Sequence, residues 1–232
     1  MTRGPIIAID GPAGAGKSTV ARHLAHHFGL LNLETGAMYR AFALKAILND
    51  QDFDDAVALE RLAAETSVTL RPERGGNRVL LDGADVTERI RDSDVTQGAS
   101  RVSVHPAIRE WLVGLQRELG REGGVVMEGR DIGTVVFPDA DLKVFLDASP
   151  EARSQRRYEQ NAGVLAQPDH RAISKELRER DERDRNRANS PLRPALDAVV
   201  IDSTTMPLEA VLARIEELVR LRCRDLGAAE HA

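Results

Sequence analysis

One cysteine, one tryptophan, two tyrosines and five phenylalanines are all that this 232-residue sequence holds of those types. The lone Cys223 cannot close an internal disulfide, which excludes a disulfide-stapled scaffold; its place in a late amphipathic helix predicts a buried, unreactive thiol. Aromatics amount to 3% of the chain and do not interleave with its arginines, so the stacking platforms of an RNA-binding module are missing. A formal net charge of −5 also disfavours a general polyanion binder, although a local arginine cluster can still hold a small anion. No apolar run approaches the ~18 residues of a membrane span, and the opening "MTRGPIIAIDG" lacks a basic n-region followed by a long apolar h-region and a cleavage site. The expectation is a soluble, cytoplasmic protein with neither membrane nor nucleic acid as partner. Repeats, heptads and low-complexity linkers are absent too. What remains is one globular chain whose 42% hydrophobic content supports a real core, alone or with an insertion.

The pattern begins with "PIIAID" (5–10), a short β-branched run that reads as a buried strand, followed by the turn-forming "GPAGAG". From Lys17 to Phe28, Val20, Leu24 and Phe28 fall at helical spacing, and Gly29 breaks the helix. Further helices are predicted over about 37–48 and 54–64. "SVTLRP" (67–72) and "RVLLDG" (78–83) flank "ERGGN" as a hairpin, and "ADVTERI" adds a third short strand or a turn. A helix over 106–119 then leads to the strand "VVMEG" (125–129). Two more strands follow, "LKVFLDAS" (142–149) and "AVVIDST" (198–204), with helical segments between them and a last helix from 207 to about 222. Strands alternating with helices predict an α/β fold with a parallel sheet covered on both faces.

"GPAGAGKST", Gly11 to Thr19, fits the pattern GxxxxGK[ST]. Its residues Gly11, Pro12, Ala13, Gly14, Ala15, Gly16, Lys17, Ser18 and Thr19 form a candidate phosphate loop, because backbone N–H groups at a helix N-terminus can converge on phosphate oxygens. Lys17 would reach the β and γ phosphates and the Ser18 hydroxyl would ligate Mg²⁺. ATP or GTP binding follows, but a hydrolytic switch, a motor, a metabolite kinase and a nucleotide kinase can all begin this way. Glu128 and Asp147 both end apolar strands, so a hydrolase stays open at this point. A kinase needs a second anion site, and Arg40 after "ETGAMY" and Arg130–Asp131 after "VVMEG" stand at the ends of core elements, where α/β sheets bind ligands.

Taken in order, "IDGPAGAGKST", "LETGAMYRA", "GASRVSVHPAIR", "MEGRDIGTVVFPDA", "VFLDAS" and "RERDERDRNR" resemble the bacterial cytidylate kinases, a branch of the nucleoside monophosphate kinases, over nearly the whole chain. The resemblance implies a P-loop NTPase-type core (1–66, 97–149 and 171–232), an NMP-binding insertion with a small antiparallel sheet (67–96) and a short helical lid (150–170). It implies phosphoryl transfer from ATP with Mg²⁺ to CMP or dCMP by a monomer. UMP, AMP or a small metabolite is the rival acceptor. Carried over by residue, it puts Thr35, Tyr39 and Arg40 at the acceptor ribose and phosphate, and Ser100, Arg109 and Asp131 at the cytosine. Arg130 joins Arg40 on the acceptor phosphate, and Arg180, Asp184 and Arg187 come from the late charged segment. Lys17, Arg130, Arg180 and Arg187 are the expected catalytic cations. Asp131 can accept from the cytosine 4-amine while Arg109 donates to the ring; uracil would put a carbonyl against the carboxylate and should bind worse. Glu34 and Glu128 stand where many relatives carry Asp, and both keep the charge.

The segment "KELRERDERDRNRANSPL" (175–192) splits by face on a helical wheel. Ile173 and Leu177 define an inward stripe that Arg180, Asp184 and Arg187 continue within roughly 40°. Arg178, Glu179, Glu182, Arg185 and Asn186 are left to water. Unpaired inward arginines are costly, so an anionic ligand is their natural partner. Elsewhere, His23, His26 and His27 are expected on a solvated helix face, since the His23/His27 pair has no carboxylate in its motif. Trp111 reads as core and Asp202 as a turn or cap acid.

Overall fold

Alternation along two buried strands builds two cores from one sheet. The computed structural model describes residues 3–73, 76–162 and 169–223. In β1 (Ile6–Asp10), Ile6 and Ala8 face one side and Ile7 and Ile9 the other. The first side packs on α2 (Thr35–Leu48), α4 (Ser93–Val102) and α5 (Pro106–Leu119); the second packs on α1 (Lys17–Phe28) and α8 (Leu208–Arg222). β6 (Val125–Gly129) alternates in the same way, with Val125 and Met127 on the first side and Val126 on the second, while β7 (Leu142–Asp147) gives Leu142, Val144 and Leu146 to the second side. Together with β2 (Leu31–Glu34) and β8 (Val199–Asp202) they form a parallel five-stranded sheet in the order β2-β6-β1-β7-β8. The expected α/β sheet with helices on both faces is thus present. Among the described residues, no helix is long and apolar enough to cross a membrane.

The second sheet is antiparallel and small: β3 (Val68–Glu73), β4 (Gly76–Leu81) and β5 (Ala84–Asp85). Residues 74–75 of the expected hairpin turn lie outside the described residues, as do 163–168 of the expected lid. "ADVTERI" supplies both alternatives, the strand β5 and a 3-10 turn at Arg89–Arg91. Two elements were not legible from the sequence. β2 is only four residues of partly exposed "LNLE", and α4 runs through a segment with an internal glycine. The boundary expected at 96 therefore falls inside α4. Helix α3 (Ala56–Ala64) starts on its Asp55 cap, and Trp111 packs edge-on against Phe42 at 5.4 Å, as core.

Register decides where the chemistry emerges. Asp10 pairs with Gly129 and Glu34 with Glu128, so β1, β2 and β6 end in one rank at their carboxyl ends. The free edge of β2 is closed by Asn77 of β4, whose Oδ1 accepts from Glu34 N at 2.9 Å while its Nδ2 donates to Asn32 O at 2.7 Å. The small sheet is thereby hooked to the core beside Thr35. α6 (Pro150–Ala162) and α7 (His170–Asn186) pack on each other, and Arg153 of α6 and Asp184 of α7 reach Ala148 just after β7 and Arg130 just after β6.

Candidate active site

The phosphate loop leaves β1 where only glycine fits. A Cβ on Gly11 would lie 2.0 Å from the Leu146 carbonyl oxygen, and Gly16 enters α1 at φ 98°, the left-handed region. From behind, the loop is held by Arg153 of α6, which is 1% exposed. Its guanidinium donates to Ala13 O at 3.0 Å, to Ala148 O at 2.9 Å and to Asp181 Oδ2 of α7 at 2.6 Å. Lys17 is buried and donates to Pro12 O at 2.7 Å. Burial, and then the neighbouring Arg130, push its ammonium down to about 7. Beside the loop, a cavity of about 480 Å³ is lined by Gly14, Thr19, Arg156, Ser203, Met206 and Val211.

Asp10, the last residue of β1, ties the start of the loop to the segment after β6. Its carboxylate accepts from the backbone N–H groups of Ile132 and Gly133, both at 2.8 Å. Those groups open a wide π-type turn, Ile132–Val136, that starts directly after Arg130 and Asp131. Burial raises the Asp10 carboxyl to about 6 against those two hydrogen bonds.

The charged side chains expected to meet substrate converge in front of this rank. Arg130 Nε donates to Asp184 Oδ2 at 2.8 Å, and Arg187 Nη1 lies 3.9 Å from the other oxygen of that carboxylate. Burial would raise Asp184, but Arg130, Arg180 and Arg187 hold it below the usual carboxylate range. Arg109 Nη2 donates to Asp131 Oδ2, and Arg187 Nη2 lies 3.9 Å from Asp131 Oδ1; all three side chains are buried. The Arg109 guanidinium also sits over the Tyr39 ring at 5.6 Å. Arg40 Nη2 donates to Glu34 Oε1 at 2.5 Å. Arg180 is half-buried with no partner for its Nε, and burial and Arg130 depress it to about 10. Six cations, Lys17, Arg40, Arg109, Arg130, Arg180 and Arg187, thus gather with five carboxylates, Asp10, Glu34, Glu128, Asp131 and Asp184. The excess is positive and largely withdrawn from water, which an anion would relieve.

Two expected residues are differently engaged. Thr35 is 4% exposed, and its hydroxyl donates to Glu128 O at 2.8 Å, fastening α2 to β6. Ser100 is buried on α4, and its Oγ accepts from Arg183 Nε of α7 at 3.0 Å. The outward flank of α7 is as the wheel gives it, with Arg178, Glu179, Glu182, Arg185 and Asn186 all exposed.

A family model described as cytidylate kinase matches residues 7–221. The chain belongs to the cytidylate kinase family. A cytidylate kinase of Pelotomaculum thermopropionicum is 55% identical over 93% of this chain and 96% of its own length. One from Geobacillus kaustophilus is 46% identical, covering 96% of this chain and 99% of its own. A Pseudomonas aeruginosa cytidylate kinase is 48% identical over 96% of each.

Within this cytidylate kinase fold, Asp10, Arg153, Asp181 and Arg183 are the residues that sequence reasoning missed. Asp10 was readable only as the acid before the loop, with partners more than a hundred positions away. Arg153 sits among other arginines in "EARSQRR", where nothing marks one of them as buried. Glu128 is the remaining buried acid of this cytidylate kinase site. Burial and then Glu34 raise it, with a hydrogen bond from Ser18 acting the other way, and its Oε1 has no partner.

Proposed function

We propose that this chain transfers the γ-phosphoryl group of ATP to CMP and dCMP, giving CDP or dCDP and ADP. The observation that carries this reading is the buried Arg109–Asp131 pair, reached from the phosphate loop through Asp10 and adjoining Arg130, Asp184 and Arg187. Asp131 spends one lone pair on Arg109; a carboxylate has capacity for more, so it can accept from the 4-amine of cytosine. UMP would place a carbonyl there and leave buried polar groups unpaired.

In this reading adenine enters the cavity beside Thr19 and Arg156, and the loop amides with Lys17 hold the β and γ phosphates. Arg40 and Arg130 hold the acceptor phosphate, while Asp184 and Arg187 meet its sugar. Tyr39 and Thr35 line the acceptor side, the latter through α2 and not through a free hydroxyl proton. An acceptor phosphate oxygen bonds to the γ-phosphorus in line with the bond to the β-bridging oxygen, which breaks and leaves with ADP. No protein base is required, because the attacking oxygen is already anionic; positioning and charge compensation by Lys17, Arg130, Arg180 and Arg187 dominate. Ser18 and the unpartnered oxygen of Glu128 fit Mg²⁺ and its hydration shell. When bound with ATP, the ion would neutralise charge on the β and γ phosphates. A monomeric enzyme of the cytoplasm completes the proposal.

The test is ADP release from MgATP with each nucleoside monophosphate in turn. Rapid release with CMP and dCMP, and little without acceptor, is the expected result. Equal rates with no acceptor would show a hydrolase, and a preference for UMP or AMP would overturn the base assignment.

A further inference from the structure

The far end of α1 carries a cluster that phosphoryl transfer leaves unused. His23 and His27 stand one helical turn apart, and Glu216 of α8 faces both. Glu216 supplies the carboxylate that the histidine motif itself lacks. His23 Nε2 lies 2.6 Å from Glu216 Oε1, and His27 Nε2 lies 3.8 Å from Glu216 Oε2. The two imidazoles are nearly parallel, 12° apart, with centroids separated by 5.8 Å. All three ligand atoms fall within 4.8 Å of one another. Tetrahedral zinc needs about 3.4 Å between ligand atoms, a gap that side-chain rotation can close. The side chains are 37%, 41% and 17% exposed, which leaves solvent access for a water as fourth ligand.

Hydrogen-bonding roles fix the state of each group. A carboxylate only accepts, so the proton at the first contact is on His23 Nε2. Arg220 Nη2 lies 3.0 Å from His27 Nε2 and 3.2 Å from Glu216 Oε2. A guanidinium only donates, so His27 Nε2 presents a lone pair. Arg220 therefore places a positive charge against two of the donors that a cation would use. Its side chain is 47% exposed and rests on the Phe28 ring at 5.6 Å, with water on its other side and room to swing away.

We infer that His23, His27 and Glu216 form a site for a divalent transition metal such as Zn²⁺, which displaces Arg220 and clamps α1 to α8. Two imidazoles and one carboxylate suit Zn²⁺ or its neighbours and not Mg²⁺ or Ca²⁺, which favour all-oxygen shells. To ligate through Nε2, a neutral His23 moves its proton to Nδ1, which leaves the Nε2 lone pair for the metal.

The experiment is calorimetric titration of the full chain with Zn²⁺ in the absence of nucleotide, with Mg²⁺ as control and thermal melts in parallel. The expected result is one Zn²⁺ per chain with a raised Tm. Affinity should fall by roughly tenfold or more in His23→Ala and in His27→Ala, and increase in Arg220→Ala. Metal-free melts report separately whether each variant folds, and Glu216→Gln provides a second route to the same loss. No binding to the parent chain, equal affinity in all variants, or weaker binding in Arg220→Ala would each overturn the assignment.

Discussion

Replacing Arg153 by methionine keeps most of the side-chain volume and removes every donor. Arg153 is among the largest fully buried side chains, and its guanidinium joins the phosphate loop at Ala13, the end of β7 at Ala148, and α7 at Asp181. The variant leaves Asp181, 13% exposed, without its cation and two backbone carbonyls without their donor. Breaking a buried ion pair from one side costs about 3–5 kcal/mol. A chain of this size loses about 2–4 °C of Tm per kcal/mol, so Arg153→Met should melt about 6–20 °C lower. A double-mutant cycle with Asp181→Asn should return a coupling of about 0.5–3 kcal/mol, because the two residues share one interaction. Below the melt, the loss should fall on the donor side: KM for ATP rises while KM for CMP stays within about twofold. Thermal melts and initial rates at varied ATP and CMP decide it. A Tm within about 2 °C of the parent together with an unchanged KM for ATP would refute the reasoning.

Three other perturbations test the acceptor and phosphate groups. Arg180→Ala removes a cation whose Nε has no protein partner, and turnover should fall about 10²-fold or more, near 3 kcal/mol, while the Tm holds; near-parental kcat would remove Arg180 from the reaction. Asp131→Asn should reduce kcat/KM for CMP by about 10²-fold or more and narrow the CMP to UMP ratio, measured with both acceptors under one set of conditions. Lys17 is pushed down to about 7 in the free protein, and a bound phosphate would hold it charged. ATP binding above pH 7 must then take up a proton, so affinity should weaken as pH rises, by up to about tenfold per unit. Calorimetry in buffers of different ionisation enthalpy reads that uptake directly, and a buffer-independent enthalpy at pH 8 would exclude it.

Local chemistry made half of this molecule legible in the sequence. The strand, glycine loop and helix at 6–28 are readable because every requirement of the phosphate loop is met by neighbours in the chain. Helix α4 is not readable, because its glycine serves contact and not propensity. A Cβ on Gly98 would lie 2.7 Å from the Phe53 ring, so glycine is required where α4 packs onto Phe53 and α2. β2 is too short and too exposed to carry a periodic signal, yet it aligns Glu34 with Glu128 and sets Thr35 beside β6. Asp10 and Arg153 act on residues 122 and 140 positions away, at distances over which no sequence pattern runs.

The charged helix α7 shows where a helical wheel stops. It sorts inward from outward residues, but Asp181 and Arg183 lie at the borders of the stripe, where the angle alone does not decide. Their partners do: Asp181 holds Arg153 on α6 and Arg183 holds Ser100 on α4, while Asp184 on the stripe itself holds Arg130 at the end of β6. α7 is therefore fastened to α6, to α4 and to the end of β6 by three separate ion pairs or hydrogen bonds. In the proposed reading, a phosphate at Arg130 would have to compete with Asp184 for the same guanidinium. A displaced Asp184 would still face Arg180 and Arg187, so its charge is not stranded. That redundancy would let an anion take Arg130 at little cost, whereas the Arg153–Asp181 pair touches the loop from behind, through Ala13, and does not share Arg130's carboxylate.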